Sequence, residues 1–339
     1  MKHARRKFLH LAACAATLPA VSRVAKAQTY PSRPITMIVP APAGGLTDVV
    51  GRVVAERMVK SLGQPVVIEN VTGADGSIGV GRAARARPDG YTIDIGNNGT
   101  HIFNGVLYSL RYDVLNDFAP IAPLVTSTFV LFARKTMPTK DLNELIAWLK
   151  ANPNRASMGI AAAVARVITA FFQKETGTQL TRVPYRGFTP AMQDLVAGQI
   201  DLLFEAPNGL SLVQAGSVKA YAVTSDTRLA VAPNIPTVSE LGLPALSFPN
   251  WFGLFAPGGT PRNMIGKLNA AAVEALADSA VQSRLADLGA DIFPRERQTP
   301  EALGAMVKAE AEKWWPIIKE LGIQVGPVSL PTGEKRRRL

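Results

Sequence analysis

The sequence predicts an α/β fold built as two domains. Short apolar runs rich in β-branched residues alternate with segments whose apolar residues recur at helical spacing. Clusters of Pro and Gly punctuate the alternation. Behind an N-terminal leader stand roughly 300 residues, long enough to bury a large core and to favour two domains. Apolar residues make up 47% of the chain.

The elements follow in order. Ile35 to Val39 reads as a buried strand, and Pro40 to Gly45 as a loop. Val49, Val50, Val53, Val54 and Met58 fall on one helical face, and Gly63 ends that helix. Val66 to Glu69 is the next strand. The Gly73 to Gly76 loop leads into a helix through Arg87. Pro88-Asp89-Gly90 turns the chain into a strand over Tyr91 to Ile95. Phe129 to Ala133 is a strand and Leu142 to Ala151 a helix. The second half repeats the pattern: helix over Val167 to Thr176, strand end at Val183 to Tyr185, helix over Pro190 to Ala197. Strands at Ile200 to Phe204, Ala220 to Thr224 and Trp251 to Ala256 follow. Pro261 to Ala277 and Pro300 to Gly322 are helical, and the Trp314-Trp315 pair is expected to pack on the body of a domain.

The two ends carry the charge. Arg5-Arg6-Lys7-Phe8-Leu9 matches the core of a twin-arginine export signal. A short apolar run reaches Val21, and Ala25-Lys26-Ala27 supplies a small-x-small cleavage pattern. The run is shorter than the roughly 20 apolar residues that span a bilayer. Two other readings stand beside this one: an uncleaved interfacial helix, and a lipoprotein site at Leu11-Ala12-Ala13-Cys14 that would leave Cys14 lipidated. The leader, residues 1–27, holds six cations, and the tail holds four with one acid. Taking these from 37 Lys+Arg and 26 Asp+Glu leaves 27 cations and 25 acids, a core close to neutral. No basic run remains there for nucleic acid, and the basic tail, residues 328–339, reads as a solvated end.

The chain has one cysteine, Cys14, and three histidines, of which His3 and His10 lie in the leader. Cleavage would therefore leave no thiol and a lone His101. A His-based zinc site needs more ligands than one, and a Ser-His-Asp triad would have to use His101. No metal or cofactor is expected.

The Ala41 to Asp48 loop joins a strand to a helix. Its two glycines let backbone approach a ligand, and the helix start offers free N–H groups, a combination suited to a carboxylate. The same loop also reads as a tight turn with a helix cap. Neither a Walker A loop nor a Rossmann fingerprint is present.

Several motifs then occur in a telling order. Val39 to Arg52 resembles the "VPFPPGGSTDxxAR" segment of the Bug, or TctC-like, family. Gly73 to Gly79 is similar to its "GAGGxxG", and Pro88 to Thr92 matches "PDGYT". Val183 to Gly187 resembles "VPYKG", and Gly198 to Asp201 resembles "GGQVD". Ala222 to Ser225, Pro236 to Val238 and Trp251 to Pro257 complete the set. Each motif is weak alone; the ordered series over nearly the whole mature chain is specific.

The resemblance implies a non-catalytic, hinge-closing binding protein of the type II-like, Venus-flytrap architecture, with the ligand between domains. Domain 1 would comprise residues 28–128 and 251–327, and domain 2 residues 129–250. The implied function is periplasmic capture of a small organic carboxylate for the membrane subunits of a tripartite tricarboxylate transporter, by a monomer. A ligand-loaded sensor partner of a histidine kinase is the alternative, and a periplasmic hydrolase a weaker one.

On the domain 1 side, the resemblance implies ligand contacts from Ala43, Gly44, Gly45, Thr47 and Asp48, with Asp48 orienting loop amides or water rather than touching a carboxylate. Thr100-His101 corresponds to a "THxxN" loop at the same cleft, which makes Thr100, His101 and Asn98 candidates, although His101 also reads as a structural residue. In domain 2 the candidates are Ala162, Ala163, Arg166, Tyr185, Arg186 and Glu205. There the chain departs from the pattern. A loop resembling "GSAGxGSxxHL" reads Gly159 to Arg166 without hydroxyls, and Arg166 falls near the family's His. Glu205 stands for the usual Asp and Asp75 for Gly. An apolar cleft wall and an aromatic or branched carboxylate are expected. Arg166 also reads as an exposed helix residue, and Asp75 as a simple loop change.

Overall fold

The computed structural model describes residues 30–323. The leader with its Cys14 alternative and the basic tail lie outside the described residues.

Two sheets organise the chain. The first contains β1 (Ile35–Val39), β2 (Val66–Asn70), β3 (Thr92–Asn97), β4 (Phe118–Ser127), β10 (Asn250–Pro257) and β11 (Asp291–Ile292), in the order β11-β4-β10-β3-β1-β2. The second contains β5 (Val130–Arg134), β6 (Ser157–Ile160), β7 (Thr181–Pro184), β8 (Leu202–Glu205) and β9 (Val218–Val223), in the order β7-β6-β8-β5-β9. In each, a parallel part joined by helical crossovers is completed by antiparallel strands. Helices α1 (Leu46–Leu62), α2 (Ser77–Ala84), α3 (Leu142–Ala151), α4 (Ala163–Thr176), α5 (Phe188–Val196), α6 (Arg262–Ala277), α7 (Ser279–Asp287) and α8 (Pro300–Glu320) cover the sheets.

Helix α1 shows how pattern becomes packing. Val50, Val53, Val54 and Met58 are buried, and Gly63 closes the helix at φ 65°, a left-handed conformation that glycine adopts without strain. The buried stripe packs with the apolar faces of α6 and α7 on one side of the first sheet.

Strand β4 escapes the sequence pattern because it contains Pro120 and Pro123, which cannot donate to a ladder. The sheet accommodates them through register shifts in β10, where Gly253 faces Pro123 and Phe255 faces Pro120. The run from Gly159 to Arg166 also differs from expectation. Gly159 and Ile160 close β6, and α4 begins at Ala163 rather than Val167. An alanine-rich segment follows its helical propensity once its N-terminus is free.

The chain passes between sheets at Thr128-Phe129 and returns through residues 224–249. The two passages are tied together. Thr224 Oγ1 accepts from the Phe129 amide at 2.9 Å and lies 2.9 Å from Thr128 Oγ1. The Thr224 amide donates to Phe129 O, and the Phe248 amide to Thr224 O. Helix α8 bridges both halves. Trp314 is buried against Phe103 and Phe248 and also meets Phe171 of α4. Trp315 donates its indole N–H to Ile102 O at 2.9 Å.

Candidate functional site

A cavity of about 350 Å³ lies between the two sheets. Loops at the ends of β1, β2 and β3 form one wall; the starts of α4 and α5 and the end of β8 form the other. Ligand pockets favour this position at the carboxyl ends of parallel strands.

Four helix starts converge there. The N-cap residues Gly45 of α1, Gly76 of α2, Ala162 of α4 and Gly187 of α5 all line the cavity. None supplies a side-chain hydrogen bond to its helix. By contrast, α3, α7 and α8 are capped by Asp141, Asp278 and Thr299, away from the cavity. An uncapped helix start presents N–H donors and the positive end of its dipole, so the cavity favours an anion.

The α1 loop is held by Asp48. This buried carboxylate accepts from the Gly44 amide at 2.9 Å, Arg52 Nε at 2.9 Å and Asn70 Nδ2 at 2.8 Å. Burial pushes its pKa up, but these donors outweigh burial and hold it below the ordinary value. Asp48 thus orients the loop and does not line the cavity. Gly45 and Thr47 do line it. Ala43 and Gly44 are exposed beside it.

The structure separates the three residues of the β3 loop. Thr100 lines the cavity, with its amide bonded to Asn97 Oδ1 and its hydroxyl receiving the Asn97 amide. Asn98 does not reach the cavity. Fully buried, it accepts from the Trp251 amide at 2.8 Å and donates to Glu310. His101 is also buried outside the cavity, stacked on Phe255 at 4.2 Å and edge-on to Phe118 at 4.8 Å. Burial lowers its pKa, and its Nε2 lies 3.4 Å from the equally buried carboxyl of Asp94. The π-helical turn over Gly99–Phe103 rotates it inward, a local geometry that a linear motif does not reveal.

On the opposite wall, Ala162, Ala163, Arg166, Tyr185, Arg186 and Glu205 all line the cavity. Arg186 is exposed. Tyr185 donates its hydroxyl to Asp194 at 2.7 Å. Glu205 is buried, with Oε2 unpartnered, and burial raises its pKa to about 8. Sequence reasoning missed Asn97, Tyr108, Phe129, Phe188, Asn250 and Phe252 as lining residues. The aromatic members signal only core, because their exposure to a cavity is a tertiary fact.

Asp75 is the other omission. It and Ala74 adopt φ 51° and 46°, unusual for residues other than glycine. Asp75 accepts from Tyr108 Oη at 2.8 Å and lies 3.5 Å from Arg166 of the opposite wall. Among the described residues, no cluster of His, Cys, Asp and Glu could hold a metal ion.

Two α/β lobes around an anion-favouring cavity define the periplasmic binding protein fold. The family model described as tripartite tricarboxylate transporter family receptor, TctC, matches residues 50–323, and the chain belongs to that family. Protein BugT of Bordetella pertussis is 35% identical over 304 residues, covering 88% of this chain and 92% of BugT. MatC of Rhodopseudomonas palustris, solved with bound malate, is 38% identical with a TM-score of 0.82, covering 85% of this chain and all of that one. A second R. palustris protein, solved with adipate, is 30% identical with a TM-score of 0.82, covering 87% and 100%.

Proposed function

We propose that this protein captures a small organic carboxylate in the periplasm and delivers it to the membrane subunits of a tripartite transporter. The convergence of four uncapped helix starts on one cavity carries the reading. Gly45, Thr47 and Thr100 would hold the carboxylate from one side, and the α4 and α5 starts from the other. Phe129, Phe188, Phe252 and Ala161 to Ala163 give the cavity an apolar wall suited to an aromatic or branched body. The malate and adipate held by the two R. palustris relatives support a carboxylate as cargo. Binding without chemical conversion is the proposed activity.

A thermal-shift screen of organic acids tests this. An acid present at 100 times its Kd is expected to stabilise the protein by about 2.7 kcal/mol. No shift with any carboxylate would overturn the reading. Export is tested separately: replacing Arg5 and Arg6 by Lys should stop periplasmic accumulation, and unchanged export would remove the twin-arginine route.

A further inference from the structure

Two positions at which the chain departs from the pattern it resembles meet across the cleft. Asp75 comes from the loop before α2, and Arg166 from the first turn of α4. Arg166 Nη2 lies 3.5 Å from Asp75 Oδ2, and the same oxygen accepts from Tyr108 Oη at 2.8 Å. All three side chains line the cavity.

The arrangement is built rather than incidental. Ala74 and Asp75 both hold positive φ, a conformation disfavoured for residues other than glycine. Asn104 Nδ2 holds the Asp75 carbonyl at 2.9 Å, fixing the loop in this form. Arg166 is only 22% exposed and Asp75 only 13%, so solvent screens the pair weakly. The guanidinium therefore faces the cavity with the Asp75 carboxylate already beside it as counter-charge.

That compensation decides what can bind. A second carboxylate approaching Arg166 would also approach the Asp75 carboxylate in a partly dry cavity, where like charges in close contact are strongly unfavourable. An uncharged group that both accepts and donates meets no such opposition. It can accept from Arg166 and donate to Asp75. Rejection by a fixed like charge is a recurrent route to specificity. We infer that Asp75 and Arg166 form a specificity pair that selects carboxylates whose far end is uncharged and hydrogen-bonding, such as a primary amide or hydroxyl, and rejects dicarboxylates of equal length. This rests on the carboxylate-capture reading and names the ligand class within it.

The test uses matched probes on the mature protein: succinate with succinamate, glutarate with glutaramate, and adipate with adipamate, measured by calorimetry. For at least one pair, the wild type should bind the amic acid about tenfold or more tightly than the diacid. Asp75→Asn should shift that ratio towards the diacid by about tenfold or more, because it removes the like charge and leaves Arg166 uncompensated. Asp75→Gly should shift it the same way while relieving the left-handed strain, which guards against a folding defect in the first variant. A wild type that binds diacids as tightly as amic acids, or a ratio unmoved in both variants, overturns the specificity pair alone. Failure of these probes and of every acid in the organic-acid screen to bind the wild type overturns the capture reading, and the pair with it.

Discussion

At the scale of single residues, burial has set two side chains to opposite tasks. His101 is held between aromatic rings with its Nε2 3.4 Å from buried Asp94, where it fills space rather than meeting ligand. A Cβ at Gly96 would stand 2.2 Å from His101 Nδ1. The ring is fixed by Phe118 and Phe255 and cannot retreat. Gly96→Ala is therefore expected to destabilise by about 1–3 kcal/mol in urea unfolding, the usual effect of overpacking. Glu205 is different, because it faces the cavity and its carboxyl carries a pKa of about 8 against an ordinary 4.5. Between those values the folded state binds more protons than the unfolded state, so stability falls as pH rises through the window and levels off beyond it. Glu205→Gln removes that contribution. From pH 5 to pH 8, the wild type should lose stability relative to the variant, on the order of a few kcal/mol. Parallel pH profiles of the two proteins in thermal melts would refute this.

At the scale of elements, the sequence was most legible where one period dominated. The β1 run, the loop after it and the valine stripe of α1 could all be read, because local propensity and tertiary burial agree there. Strand β4 was hidden by its prolines, and the early start of α4 by the apparent loop motif. The candidate cavity was legible in part through its backbone: Gly45 and Thr47 follow from glycine and helix-start signals, whereas the opposite wall was expected only from the resemblance. Asp75 was not, since nothing local shows that its loop would turn it towards Arg166. Gly45 allows a direct test of the helix-start site. A Cβ there would meet only Pro42 O, at an ordinary 3.7 Å, and φ is −76°. Gly45→Val should therefore fold normally yet weaken carboxylate binding, as a branched side chain intrudes on the approach to α1. Calorimetry against an acid from the screen decides it, and full affinity would remove this loop from the site.

At the scale of the molecule, opposing walls of the cavity touch at several points. Asp75 meets Arg166, and a Cβ on Gly99 would lie 3.5 Å from the Val164 amide nitrogen. Gly187 at the start of α5 abuts Pro42 of the β1 loop so closely that an added Cβ would stand 2.6 Å from Pro42 Cγ. We propose that the lobes separate to admit ligand and close again, with the Thr128 and Thr224 crossing as the place where backbone angles change. Gly187→Ala would introduce a methyl group at that contact and would also strain a backbone at φ 121°. The simplest relief is a small opening of the lobes, since each keeps its own sheet intact. Small-angle scattering with a binding acid should then show compaction of the wild type and a larger radius of gyration for Gly187→Ala under the same conditions. Affinity should fall with it, because an open cavity no longer brings the α1 and α5 starts onto one ligand. Identical scattering and affinity in the two proteins would show that Pro42 yields instead and that contact at this point does not govern closure.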